Sequence, residues 1–285
     1  MRIRMHWTGR RPASGSDARL EQFRRVLSAA LATIRYRPTL EAAGLDTPQA
    51  IAGLANIPEA LCRLPYVGQE DYRSALADFQ NPAAPAVQPR KFRFPFEPAP
   101  RTAVLMPGFE QSGSVRVFAG DWGPRLERYR PEALAAPAGV LRHLAQAAAR
   151  GRPSVPPPQN ALVVFTGVNE DEMDDQDRDL FWEVFQVPLF EQYLGFDGQV
   201  VAWECEAHEG LHVEETNAVI EQSPEPEGEL VLTSLTDLRR PALRVRTGVA
   251  GRIEHSVCEC GRKEPRLTGL CRVARRLSQA ACAAD

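Results

Sequence analysis

From Leu20 the apolar side chains Leu20, Phe23, Val26, Leu27, Ala30, Leu31 and Ile34 recur at the three-and-four spacing of one helix face. The spacing predicts an amphipathic helix of about five turns, opened by Ser16 and Asp17 as cap and N-terminal charge and ended by Pro38. A short helix stopping at Gly44 follows, Thr47-Pro48 starts another, and Gln69 to Phe79 reads as helix again. Between Asn81 and Pro100 six prolines fall in twenty residues, too many for a helix or a central strand. Arg101 to Met106 and Val115 to Ala119 then read as strands joined through Gly108 and Gly113, and Pro137 to Gly151 as a helix.

Ala161 to Gly167 is a continuous apolar run ending in glycine, the mark of a strand buried on both faces. A helix from Asp171 to Phe185 and a strand from Val187 to Tyr193 complete a βαβ unit. Beyond Gln199 the pattern turns to short strands: Val200–Glu204, Ala218–Gln222, Glu229–Ser234 and Leu243–Arg246. The expectation is therefore an α/β fold with N-terminal helices, a central βαβ sheet and a strand-rich C-terminal part. Its expected divisions are a helical segment over 1–80, a Pro-rich linker over 81–100, a core over 101–270 and a tail over 271–285.

With 285 residues, 44% of them hydrophobic, the chain can bury a sizeable core. A net charge of −3 gives no electrostatic footprint for nucleic acid or an anionic membrane surface. Lys91 and Lys263 are the only lysines, which removes that side chain from most catalytic roles. The basic start Met1 to Trp7 lacks the apolar core of about 7–15 residues that a signal peptide needs. No apolar run approaches the roughly 18 residues of a membrane span. The expected location is the cytoplasm, where six cysteines read as thiols or metal ligands rather than as disulfides. The acidic run Glu170, Asp171, Glu172, Asp174, Asp175, Asp177 and Asp179 reads as a solvated helix start that suits the dipole, against a cation site.

The densest chemistry lies between Trp203 and Leu267. Cys205, His212, Cys258 and Cys260 offer three thiols and an imidazole, the ligand set of a closed, structural zinc site, and Gly261 lets the backbone turn tightly behind Cys260. The competing reading is buried small thiols and a core imidazole with no metal. His208 and His255 are rivals to His212 for the fourth position, whereas Cys62, Cys271 and Cys282 have no partner at ligand spacing.

The segments "YRPTLEAAGLD", "ALVVFTGVNEDEMDDQDRDLFWEVFQVPLFEQYLGFDGQVVAWEC" and "GELVLTSLTDLRRPALRVRTG", with "GLH" after a cysteine and a "CxCGR" segment, resemble phenylacetate-CoA ligases. These belong to the adenylate-forming enzymes, and the likeness runs through about three fifths of the chain, best from Ala161 to Leu267. It implies the large-domain fold, zinc on Cys205, His212, Cys258 and Cys260, and a crevice in which Tyr193, Asp197 and Arg246 touch a nucleotide or acyl ligand.

The family uses a Ser/Thr/Gly-rich phosphate loop, a Tyr-Gly-x-Thr/Ser-Glu magnesium motif, an Arg-Thr-Gly-Asp ribose motif and a lysine in a mobile C-terminal lid. Here Leu194 and Phe196 stand where the glycine and hydroxyl residue are expected, and Asp197 is one methylene shorter than the magnesium-binding glutamate. Val249 stands in place of the ribose-binding aspartate, and Gln111-Ser112-Gly113-Ser114 is the nearest approach to a phosphate loop. No lid and no lid lysine are expected. The resemblance thus implies a non-catalytic relative, with no catalytic residue, binding a ligase-like or other protein partner or a small acyl or aromatic acid. ATP and magnesium are doubtful on this reading. The alternative is an acid-CoA ligase that completes its site with another chain. The oligomeric state stays open, a dimer included.

Overall fold

The computed structural model describes residues 15–85, 89–94, 98–120, 123–153, 155–224 and 228–274, with side chains from Ala18 onward. The expected cap at Ser16 and Asp17, the basic amino terminus, Cys282 and most of the expected tail lie outside the described side chains. Five helices come first: α1 (Gly15–Leu31), α2 (Arg37–Ala42), α3 (Pro48–Ala52), α4 (Ile57–Cys62) and α5 (Gln69–Ser74). Then follow β1 (Thr102–Val104), β2 (Val115–Val117), α6 (Gly123–Tyr129), β3 (Ala133–Pro137), α7 (Ala138–Ala149), β4 (Ala161–Gly167), α8 (Asp175–Phe185), β5 (Leu189–Leu194) and β6 (Val200–Glu204). The last strands are β7 (Leu211–Val213), β8 (Ala218–Ser223), β9 (Glu229–Ser234), β10 (Val245–Glu254) and β11 (Arg266–Arg272). The expected α/β class, with helices first, a parallel run of strands in the middle and a strand-rich C-terminal part, is the one found. No helix among the described residues is long and apolar enough to cross a membrane.

The chain packs as two units, one formed by the described parts of 89–212 with 255–266, the other by the remaining described residues. In the first, the strand order is β2-β1-β3-β4-β5-β6-β7. The first five strands run parallel and β6 turns antiparallel to β5. Alternate side chains leave the sheet on opposite faces. Ala103, Leu134, Ala136, Leu162 and Val164 meet Leu126 of α6, Leu141 and Leu144 of α7, and Phe181 and Phe185 of α8. On the other face Val104, Ala135, Val163, Phe165 and Leu194 pack with Phe109, Trp203, Cys205 and Cys258, and with half-buried Phe92 and Phe94. Helices thus cover one face, while irregular chain covers the other.

That irregular cover is held locally. Arg90 exchanges two backbone hydrogen bonds with the β1–β2 connection, its N–H to Gly108 and its carbonyl to the N–H of Glu110, both 2.8 Å. Phe109 stacks on Phe165 with ring centres 4.9 Å apart, and Phe92 meets both rings edge-on. The Gln192 side chain donates to the carbonyl of Arg93.

The second unit sets the antiparallel strands β8, β9 and β10 against α1–α5. Thr47 and Asn56 cap α3 and α4, accepting from the N–H groups of Ala50 and Glu59 at 3.1 and 2.9 Å. The Arg244 guanidinium ties helices to sheet, bonding the Leu61 carbonyl at 2.9 Å and both carboxylate oxygens of Glu221 at 2.9 and 3.1 Å.

Several element limits differ from the pattern. α1 stops at Leu31, and Ile34, expected on its buried face, is 75% exposed. The cause is Thr33, whose hydroxyl bonds the Ala30 carbonyl and accepts the Tyr36 N–H, so that the chain turns and Pro38 enters the first turn of α2 instead of ending α1. The helix expected over Gln69 to Phe79 ends at Ser74. The strand expected at Leu243–Arg246 runs on to Glu254 through a register shift between Arg246 and Ala250. Gly248, at φ +69°, makes that irregularity possible. β3 is a buried central strand of mostly alanine, whose weak β preference hid it.

Candidate metal centre and candidate ligand residues

Cys205 follows directly on β6, and the chain then reverses through a turn in which the His208 N–H bonds the Cys205 carbonyl at 3.1 Å. This returns His212 on β7 to the neighbourhood of Cys205. The other two ligand candidates sit on a knuckle after β10. The Cys258 N–H reaches the Arg262 carbonyl at 3.1 Å and the Gly261 N–H the Cys258 carbonyl at 2.8 Å, with Gly261 at φ +86°. All four residues belong to the first unit.

Their ligand atoms lie within 4.8 Å of one another. Cys205 Sγ is 3.7 Å from Cys258 Sγ, and Cys260 Sγ is 3.4 Å from His212 Nε2. In a tetrahedron with metal–sulfur bonds of about 2.3 Å and metal–nitrogen bonds of about 2.0–2.1 Å, the sulfur–sulfur edge is about 3.8 Å and the sulfur–nitrogen edge about 3.6 Å. The two measured edges fit a shared ion, and 3.7 Å is far beyond the roughly 2.05 Å of a disulfide.

Cys205 and His212 are fully buried and Cys258 nearly so, while Cys260 is half-buried. Burial, with the neighbouring thiols, pushes the Cys205 thiol up to about 12, and burial likewise raises Cys258. Burial would raise Cys260 too, but hydrogen bonds from the Arg262 backbone and guanidinium and from the other two thiols bring it below the ordinary thiol value. His212 is lowered by burial and by the Arg262 charge, which keeps the imidazole neutral with a lone pair to give. Its buried Nδ1 closes no well-formed hydrogen bond, although the Glu264 backbone acts on the ring.

Three thiolates and one zinc ion carry a net charge of −1. The surroundings oppose it: the Arg93 and Arg262 guanidinium groups stack on the Trp203 ring at 4.5 and 4.9 Å, and Trp203 lies 5.5 Å from the His212 ring. The rival imidazoles stand elsewhere. His208 stacks on Phe190 at 5.2 Å and meets Glu204 Oε1 through Nδ1 at 3.0 Å, and His255 is exposed. Cys62 and Cys271 are free and outside the cluster.

The candidate ligand residues fall in different units. Tyr193, buried on β5, pairs in register with Thr166 and Ala202. The Asp197 carboxylate accepts the Gln199 N–H at 3.1 Å and braces the turn closed by Gly195 N–H to Gln199 carbonyl at 2.9 Å. Leu194 and Phe196 are buried. Arg246, in the second unit, holds Glu229 Oε2 at 2.5 Å and stacks over Tyr66 at 5.0 Å. Val249 is buried within β10, its N–H bonded to the Thr247 hydroxyl. The Gln111–Ser114 stretch is a turn closed on itself, with the Ser112 N–H on the Val115 carbonyl at 3.0 Å and the Val117 N–H on Gln111 Oε1 at 3.4 Å.

One residue beside Asp197 escaped the sequence reading. The Arg90 guanidinium lies against Gly108 and Gly198, over the Phe109 ring at 5.6 Å, with Asp197 and Glu170 as its charged neighbours. A Cβ at Gly198 would stand 2.3 Å from Arg90 Cζ. Two positive-φ glycines facing one arginine from sequence-distant segments leave no short-range pattern to read.

Comparison with solved structures shows what frame these residues occupy. An open conformation of 2-hydroxyisobutyryl-CoA ligase in complex with 2-HIB-AMP and CoA matches 90% of this chain and 69% of its own, with a TM-score of 0.65 at 16% identity. The chain shares its fold with a CoA ligase. The same ligase in its thioesterification state matches 92% of this chain and 69% of its own, with a TM-score of 0.64 at 17% identity. Coronafacic acid ligase from Pectobacterium brasiliense matches 62% and 40% at a TM-score of 0.41 and 13% identity. No protein-family model matches, and no curated protein does.

Proposed function

We propose that Cys205, His212, Cys258 and Cys260 hold one structural zinc ion, and that the protein is a non-catalytic relative of the phenylacetate-CoA ligases that works by binding a partner or a small acyl ligand. The metal reading is carried by the two short ligand edges, 3.7 Å between thiols and 3.4 Å from thiol to imidazole, which suit tetrahedral zinc. Bound there, zinc would act by cross-linking the β6–β7 turn to the knuckle after β10, with no ligand position left for water.

The silent reading is supported by the engagement of the groups that would have to turn toward a nucleotide. The Asp197 carboxylate braces its own turn, Arg246 is spent on Glu229, and in the Gln111–Ser114 turn the Ser112 N–H is taken by the Val115 carbonyl. A cradle for phosphate needs such N–H groups free. Calorimetry with ATP and magnesium tests it. Heat of binding in the micromolar range, or pyrophosphate release with aryl or short acyl acids, overturns the silent reading.

The shared fold favours one second reading, an acid-CoA ligase that completes its site with another chain. The ligase it matches was solved with an acyl-adenylate and CoA. This reading expects pyrophosphate release only when a second protein is added, and its absence with every candidate partner removes it.

A further inference from the structure

We propose that Cys260 is a solvent-facing thiol that a peroxide oxidises, and that Cys205 resolves the product, forming a Cys205–Cys260 disulfide that releases the metal. The inference rests on the metal reading for the release step, and on the cysteine geometry alone for the disulfide.

The cluster is accessible from one side. Cys205 and His212 are 0% exposed and Cys258 is 2% exposed, so three of the four ligands are sealed. Cys260 is half-buried and sits between exposed Glu259 and exposed Gly261, three positions after Val257, itself 60% exposed. A small oxidant arriving from solvent therefore meets Cys260 first.

The electrons balance in two steps. The Cys260 thiolate attacks one oxygen of hydrogen peroxide, the O–O bond breaks, hydroxide leaves and Cys260 becomes a sulfenic acid. A second thiolate then attacks the Cys260 sulfur, an S–S bond forms and hydroxide leaves again. Two thiolates have given two electrons to the peroxide. Both remaining cysteines lie within the 4.8 Å cluster, but only Glu259 separates Cys258 from Cys260 in the chain, and a bridge across a single residue is strained. Cys205, on a separate segment, has no such limit. One thiolate and one imidazole then remain, too few for a closed zinc shell.

The experiment uses the purified full chain with its metal content measured beforehand. Hydrogen peroxide is added, metal release is followed with a chromogenic chelator, and disulfides are mapped by mass spectrometry after alkylation. Expected are loss of the bound zinc together with a Cys205–Cys260 bridge, both reversed by a dithiol reductant and added zinc. A Cys62→Ser/Cys271→Ser variant, which leaves the four ligands intact, must release metal at the unchanged rate. A Cys205–Cys258 bridge, an over-oxidised Cys260 with no bridge, or oxidation confined to Cys62 and Cys271 overturns the proposal. Protein found free of metal at the start would refute the zinc reading, while the disulfide map would still decide which thiols react.

Discussion

Arg142 on α7 grips Asp177 on α8 through two parallel hydrogen bonds, Nε to Oδ1 and Nη2 to Oδ2, each 2.7 Å. Asp177 is also the N3 residue of a capping box, its Oδ2 accepting the Asp174 N–H at 3.4 Å while Asp174 Oδ1 accepts the Asp177 N–H at 3.0 Å. The acidic run read as a solvated helix start therefore contains one carboxylate that fastens two helices. The Arg142 hydrogen bonds hold Asp177 below the usual carboxylate range. A depressed folded-state value contributes stability above the unfolded value of about 3.9 that is lost as pH falls through the folded value. Asp177→Ala is expected to cost about 1.5–3 kcal/mol at neutral pH. Denaturant titrations should show the gap between wild type and variant closing below about pH 4; a gap independent of pH would refute this account.

For the metal, elemental analysis is expected to find about one zinc per chain, removed by replacing Cys258 and Cys260 together. His212→Ala should lose the ion and His208→Ala should keep it, because the His208 ring is engaged by Phe190 and Glu204. Since thiols must lose protons to bind, zinc affinity should rise with pH over the neutral range. A chelator should lower the melting temperature of wild type and leave the cysteine variant unmoved. A chelator-insensitive melt in metal-containing protein would contradict a structural role.

At the Asp197 turn, Gly198→Ala is expected to cost about 1–3 kcal/mol, from a φ of +74° and from a methyl group driven into the Arg90 guanidinium. Removing the obstacle separates the causes. In an Arg90→Ala background the steric share disappears and only the backbone strain remains, so the two substitutions together should cost less than their sum. Strict additivity in a thermal-melt cycle would place the whole cost in the backbone.

The βαβ unit, β4 through β5, was legible because an apolar run and a helical period are local signals, whereas the thiol–imidazole set was two local pairs that the family resemblance joined and in which it favoured His212. What escaped depended on distant partners. Thr33 makes the turn by accepting the Tyr36 N–H, and Tyr36 is itself held by a residue 207 positions away, its hydroxyl accepting the Leu243 N–H at 2.9 Å. β10 runs beyond Arg246 through two glycines that weaken a strand pattern: Gly248 takes up a register shift and Gly251 packs against Leu270 of the neighbouring strand. The resemblance marked the positions from Leu194 to Asp197 and at Val249 as altered, and could not say that Asp197 and Arg246 would be occupied by Gln199 and Glu229.

The two coverings of the parallel sheet differ in how far along the chain they must travel. Helices α6, α7 and α8 alternate with the strands they shield, so each can settle as soon as its neighbours exist. The opposite covering joins residues 89–94 to Cys258, more than 160 positions onward, and can close only once both ends of this unit have been made. Contacts between such distant positions carry the larger loop-closure cost, so the side without helices is expected to close last and open first. An ion clipped there would guard the last contact formed and the first one to open.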